Sequence, residues 1–156
     1  MGGADGGLKL GADGFLHLSG QVYHADHVVS KSTGTNDHRW APTSNWPANA
    51  NQSLMTPEET RENLSIEWGK PITEGIESYG LISYAHRHSE AYENYRLPSI
   101  APSAYPYGFS PLETIEENNF QANIGLKGNN LFGFSWDLST LYGEDADKIG
   151  NKNTFN

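Results

Sequence analysis

The sequence predicts an all-β fold in which antiparallel up-and-down hairpins form part of a large transmembrane β-barrel, with short turns at one end and long loops at the other. Three observations lead there. Apolar and polar residues alternate with period two in blocks of roughly ten residues, the pattern of strands with one oily and one wet face. The connections between blocks alternate between short and long, the order that arises when hairpins close tightly at one membrane surface and open widely at the other. The composition, with 17 Gly, 12% aromatic residues and a mean hydropathy of -0.62, suits strands and turns and is too polar for membrane helices. It contains no run of about 18 apolar residues, but a membrane strand needs only about 9 to 11 residues with every second one apolar.

The elements follow in order. An opening strand over 7–11 leads through Ala12-Asp13-Gly14, a tight hairpin, into a second strand from Phe15. There Leu16, Leu18, Gly20 and Val22 oppose His17, Ser19, Gln21 and Tyr23. A long connection over 27–62 comes next. Within it Thr56-Pro57-Glu58-Glu59 combines an N-cap Thr, a Pro at the first helical position and a capping-box Glu, so a turn or two of helix competes there with plain loop. The third strand, 63–69, sets Leu64, Ile66 and Trp68 against Ser65 and Glu67, and Thr73-Glu74-Gly75 makes the second short turn. The fourth, 78–86, has mixed faces, with Tyr79 and Leu81 opposite Ile82 and Tyr84, and its orientation stays open. After a loop over 89–117, Phe120, Ala122, Ile124 and Leu126 oppose Asn119, Gln121, Asn123 and Lys127. A turn at Asn129-Asn130 precedes the sixth strand, where Phe134, Trp136, Leu138, Thr140 and Tyr142 oppose Ser135, Asp137 and Ser139; the tail after Gly143 reads as loop.

In this reading Leu16, Leu18, Leu64, Ile66, Trp68, Phe120, Ile124, Leu126, Trp136 and Leu138 meet lipid, while Ser19, Gln21, Glu67, Gln121, Asn123, Asp137 and Ser139 face the lumen. Tyr23, Trp68, Tyr84, Phe134, Trp136 and Tyr142 suit interfacial girdles, although Trp68 and Trp136 equally suit the core of a soluble sandwich. The net charge of -9, with ten scattered Lys and Arg, argues against nucleic-acid binding. Without cysteine there is neither a disulfide framework nor a thiolate metal site. Residues 1–7 lack a basic region followed by an apolar core, so the chain reads as a piece of a longer exported protein.

The chemistry-bearing candidates are few. His24 and His27 near one strand end, and His86 and His88 near another, are metal-ligating types, set against the simpler reading of wet residues at strand ends. Glu113, Glu116 and Glu117, with Glu144, Asp145 and Asp147, offer oxygens for Ca or plain solvated charge. Trp40 and Trp46 in the first long loop either stack on a ligand or pack the loop. No Gly-x-Ser-x-Gly, P-loop or His-Glu-x-x-His motif is present, so the expectation is a non-enzyme without a cofactor.

Over 66–156 the wording and order of segments resemble a known family. Gly69-Lys70-Pro71-Ile72 precedes a tight turn and then Tyr84-Ala85-His86-Arg87. Next come Tyr95-Arg96-Leu97-Pro98 and Pro106-Tyr107-Gly108-Phe109-Ser110-Pro111-Leu112. The 119–128 segment follows, then Trp136-Asp137-Leu138-Ser139-Thr140-Leu141-Tyr142-Gly143 and Asn153-Thr154. Together these resemble the barrel domain of TonB-dependent receptors, and the 14–20 hairpin resembles the preceding strands of the same barrel. The resemblance implies residence in the outer membrane of a Gram-negative bacterium. It also implies contact with outer-membrane lipid, and import of a bulky nutrient such as a siderophore-type metal chelate or an oligosaccharide. Energy would come from the TonB complex through a plug that this chain lacks. Trp40, Trp46, Tyr95, Arg96, Tyr105 and Tyr107 are the loop residues placed to meet that ligand. The rival expectation is a soluble all-β carbohydrate- or ligand-binding module whose two sheets bury the same apolar faces against each other.

Overall fold

A computed structural model describes residues 1–28, 56–97, 99–106 and 108–154. Six strands follow one another: β1 (Gly2–Leu10), β2 (Gly14–Ala25), β3 (Glu58–Thr73), β4 (Ile76–Tyr92), β5 (Leu112–Leu131) and β6 (Phe134–Lys152). They form one open, antiparallel, up-and-down sheet in the order β1-β2-β3-β4-β5-β6, and the described residues contain no helix. In the first hairpin Leu10 faces Gly14 and Gly2 faces Val22.

Period two holds throughout, and side-chain contacts fix the faces. Ser19 bonds Ser65, Asn63 bonds Gln21, Tyr79 bonds Asp137 and Lys127 pairs with Glu77, so the odd-numbered side chains share one face. Leu64 lies beside Gly20, Trp68 over Gly80, Trp136 over Gly128 and Phe120 beside Tyr142, which places the even-numbered side chains on the other. The mixed fourth strand is thereby oriented: Tyr79 belongs to the polar face and Tyr84 to the apolar one.

The strands are longer than alternation predicts. Rather than ending near 69, 86 and 143, the structure carries β3 to Thr73, β4 to Tyr92 and β6 to Lys152, and β5 opens at Leu112. The second long connection shrinks accordingly to 93–111. Cross-strand pairs such as His88 with Glu116 and Lys152 with Glu90 hold these extensions, the usual stabilising unit of a sheet. The helix considered at Thr56-Pro57-Glu58-Glu59 does not form. Thr56 instead bridges Val28, and Glu58 opens β3; sheet pairing outweighs a local capping signal that has no apolar helical face behind it.

Two turns also shift. The first hairpin turns over 11–13, with Gly11 at φ 80° and Gly14 already in β2. The third turns at Phe132 and Gly133 instead of at Asn129-Asn130. Both of its residues have positive φ, 53° and 87°, the signature of a two-residue hairpin loop that ordinarily prefers Asn-Gly. Phe132 is 92% exposed, so its ring offsets little of the left-handed backbone. Replacing it with Asn, Phe132→Asn, is expected to stabilise the hairpin by about 1 kcal/mol, read as a rise in the denaturant midpoint at unchanged slope.

By backbone contacts the chain divides into two units, each drawing on several strands. The first comprises Met1–Tyr23, Arg61–Arg87 and Glu117–Asp147; the second comprises His24–Thr60, His88–Glu116 and Lys148–Asn156. In the first unit no described apolar side chain is buried, and Leu64, Phe134 and Leu138 are 60%, 74% and 70% exposed. In the second, Tyr95 and Ala101 are the buried apolar residues of the 93–111 loop.

Candidate functional site

All seven residues expected to face a lumen, Ser19, Gln21, Glu67, Gln121, Asn123, Asp137 and Ser139, lie at odd positions and share the polar face of the first unit. Many of their neighbours there are polar as well, although Phe15, Leu81 and Leu141 also occupy odd positions. Ser19 Oγ is 2.6 Å from Ser65 Oγ, Asn63 donates to Gln21 Oε1 at 3.4 Å, and the Tyr79 hydroxyl donates to Asp137 at 2.6 Å. Lys127 Nζ is 3.4 Å from Glu77 and 5.5 Å from the centre of the Tyr79 ring. Tyr79 was legible as a strand residue but not as part of this surface, because its strand has no clean alternation.

An open hollow of about 810 Å³ lies on this face. Its wall takes three consecutive residues from every strand: 3–5, 19–21, 63–65, 83–85, 119–121 and 143–145. In each triplet the flanking odd residues turn toward the hollow, and most are Ser, Asn, Gln, Asp or Gly. Such a surface offers hydroxyl and amide groups, with the Asp5 and Asp145 carboxylates, to water or to a polar ligand.

The opposite face carries the apolar band. Its even positions run from Leu64 to Ile72 in β3, Ile76 to Tyr84 in β4, Phe120 to Leu126 in β5 and Phe134 to Tyr142 in β6, interrupted by Lys70 and Ser78 near the short turn between β3 and β4. At about 3.4 Å per residue and a tilt near 40°, the nine residues of β6 span roughly 20–25 Å, close to the height of a barrel's lipid-facing belt. Beyond the band, toward the loop ends, the even positions become Glu62, His86, Glu116, Glu144 and Lys148. Tyr84 and Tyr142 stand at that boundary, their hydroxyls donating to Asn118 and Glu144. Tyr23, expected among the girdle aromatics, is instead on the polar face, with the Arg61 guanidinium 5.8 Å from its ring centre.

The loop candidates divide. Trp40, Trp46 and Tyr107 lie outside the described residues. Tyr95 is buried with its phenol against Gly108, and that burial raises its pKa above the ordinary tyrosine value. Arg96 pairs with Glu93 at 2.8 Å, and Tyr105 stacks on Phe109 with ring centres 4.3 Å apart.

Among the described residues the candidate histidines do not converge. His24 bonds Thr60 and Asp26, His27 meets Glu58 at 3.4 Å and the Tyr92 ring, His86 lies 3.8 Å from Glu62, and His88 bonds Glu116 and Glu90. Each is held by carboxylate rather than aimed at another imidazole. Among the described residues only Glu117, Asp145 and Asp147 bring three potential ligand oxygens within 4.8 Å of one another. Arg87 already serves Glu117 at 2.9 Å. Asp145 is raised above the usual carboxylate range by desolvation first and then by Asp147 and Glu117. Glu113 and Glu116 stay outside this group.

Comparison with protein-family models, with curated proteins and with solved structures finds no match.

Proposed function

We propose that the chain is a segment of the barrel wall of a TonB-dependent receptor in the outer membrane, and that the parent protein imports a bulky nutrient, a metal chelate or an oligosaccharide. One observation carries this reading: the polar face holds the hollow, while the opposite face is a mainly apolar, exposed band whose strand length suits a barrel's lipid-facing belt. A water-soluble sheet of this kind would put the two faces the other way round, hiding the band and wetting the rest. The rival two-sheet module needs a second layer over the band, and the described residues make a single sheet. Short turns at one end and long connections at the other agree with the barrel reading.

Open margins add a physical requirement. β1 and β6 each have one neighbour in the sheet, and in hydrocarbon an unpaired row of N–H and C=O groups costs several kcal/mol per group. Further strands must therefore flank β1 and β6 in the membrane. The polar wall would then face the barrel interior, and the 93–111 loop, with Arg96 and Tyr105, would stand at the nutrient-binding end. The energy-coupling TonB complex would act through a plug outside this chain.

The test is a nitroxide scan along 134–142 in outer membranes of a Gram-negative host. Collisions with oxygen, which concentrates in lipid, should peak at 134, 136, 138, 140 and 142 and dip at the positions between. Equal accessibility at both parities, or recovery of the protein in the aqueous fraction, would sink the proposal.

A further inference from the structure

Beyond the band, in the second unit, His88 sits at a junction of three strands. Its Nδ1 is 2.6 Å from Glu116 Oε1 of β5 and its Nε2 is 3.2 Å from Glu90 Oε1 of β4. A neutral imidazole carries one N–H and one lone pair, so it would turn that lone pair toward an ionised oxygen on one side; only the imidazolium donates to both. Glu90 also receives Lys152 of β6, which holds its carboxyl below the usual range, with His88 adding to the effect. The four groups are therefore balanced, two positive and two negative, when His88 is protonated, and carry a net negative charge when it is not. β3, the other neighbour of β4, commits Glu58 of this unit to His27 instead.

The pair lies just inside the base of the 93–111 loop, which the Glu93 N–H closes by donating to the Pro111 carbonyl at 2.8 Å. A second rung follows, Arg96 and Phe109 exchanging backbone bonds at 2.7 and 3.1 Å. This loop carries Tyr95, Arg96 and Tyr105. We propose that His88, held as imidazolium between Glu116 and Glu90, is a pH-responsive latch that closes the base of this loop in acid and releases it as the pH rises. The inference stands on the local geometry and holds whether or not the sheet lies in a membrane.

The direction follows from linkage. Burial alone would pull His88 down, but the hydrogen bonds to Glu116 and then Glu90 outweigh it and leave the imidazole above its ordinary value. A histidine raised by folding stabilises the folded form fully below the ordinary histidine range, and that contribution is lost as pH rises through the raised value.

Amide hydrogen exchange of the full chain, corrected for the intrinsic pH dependence of exchange, tests this. Protection at Glu93, Arg96 and Phe109 should fall about tenfold between about pH 5 and about pH 9, the factor that loss of one hydrogen bond to a charged group supplies. In His88→Gln the fall should vanish. Glu116→Gln leaves the imidazole in place and removes one carboxylate, so the His88 titration followed by ring-carbon NMR should move down toward the ordinary value. Flat protection in the natural chain, an unchanged fall in His88→Gln, or an unmoved titration in Glu116→Gln would each overturn the latch.

Discussion

Gly80→Ala is expected to destabilise the folded sheet by about 2 kcal/mol, a large cost for a single added methyl. Gly80 lies in β4 directly beneath the Trp68 ring of β3, and a Cβ built there overlaps Cη2, Cζ2 and Cζ3 of the indole. The ring is planar with two side-chain torsions, so it cannot yield by a few tenths of an ångström; it must swing off the strand and forfeit its contacts. Three further pairs, each on a different pair of neighbouring strands, repeat the arrangement, Phe15 over Gly69, Tyr79 over Gly125 and Trp136 over Gly128. An aromatic laid over a cross-strand glycine replaces the packing that the missing side chain cannot give and fixes the register of the two strands. Gly6→Ala is the control, since nothing lies within 4 Å of a Cβ there and the change should fall within about 0.5 kcal/mol. Adding Gly80→Ala to Trp68→Ala should cost far less than adding it to the natural chain. A double-mutant cycle in denaturant that instead gives additive effects would show that the ring does not press on this glycine.

These glycines illustrate what the sequence could and could not disclose. Alternation in Phe15 to Val22, Phe120 to Leu126 and Phe134 to Tyr142 made the strands readable, and the contacts of Ser19, Gln21, Asp137, Phe120 and Tyr142 follow the same parity. The signal depends on one face being apolar. Once a strand passes Tyr84, Phe120 or Tyr142 its even positions become His86, His88, Glu116, Glu144 and Lys148, both faces are polar, and the periodicity disappears although the hydrogen-bonded ladder continues. That is why the extensions read as loop and why 113–117 read as an acidic run. Thr56-Pro57-Glu58-Glu59 failed for a related reason: a capping box describes how a helix would begin, whereas the pairing of Val28 with Thr56 joins residues 28 positions apart, beyond any local pattern. The partners of the histidines were equally hidden, because Glu116 lies 28 residues from His88 and only the strand register brings them together.

Leu138→Arg and Ser139→Arg, neighbours on β6, should then differ by more than any other adjacent pair. Leu138 stands near the middle of the apolar band and is 70% exposed, so the protein itself supplies no partner for a guanidinium there. If acyl chains cover that position, a cation at the midplane costs about 2–4 kcal/mol, whereas Ser139, on the polar face beside Asp137, should accept one within about 0.5 kcal/mol. Water over the band would reverse the logic, since an exposed leucine exchanged for arginine in solvent is close to neutral and both variants would behave alike. Urea titrations of the parent protein refolded into vesicles read the two cases directly. The contrast has force because it compares one residue with the next: propensity, strand position and distance from the turn are nearly constant, and only the face of the sheet changes.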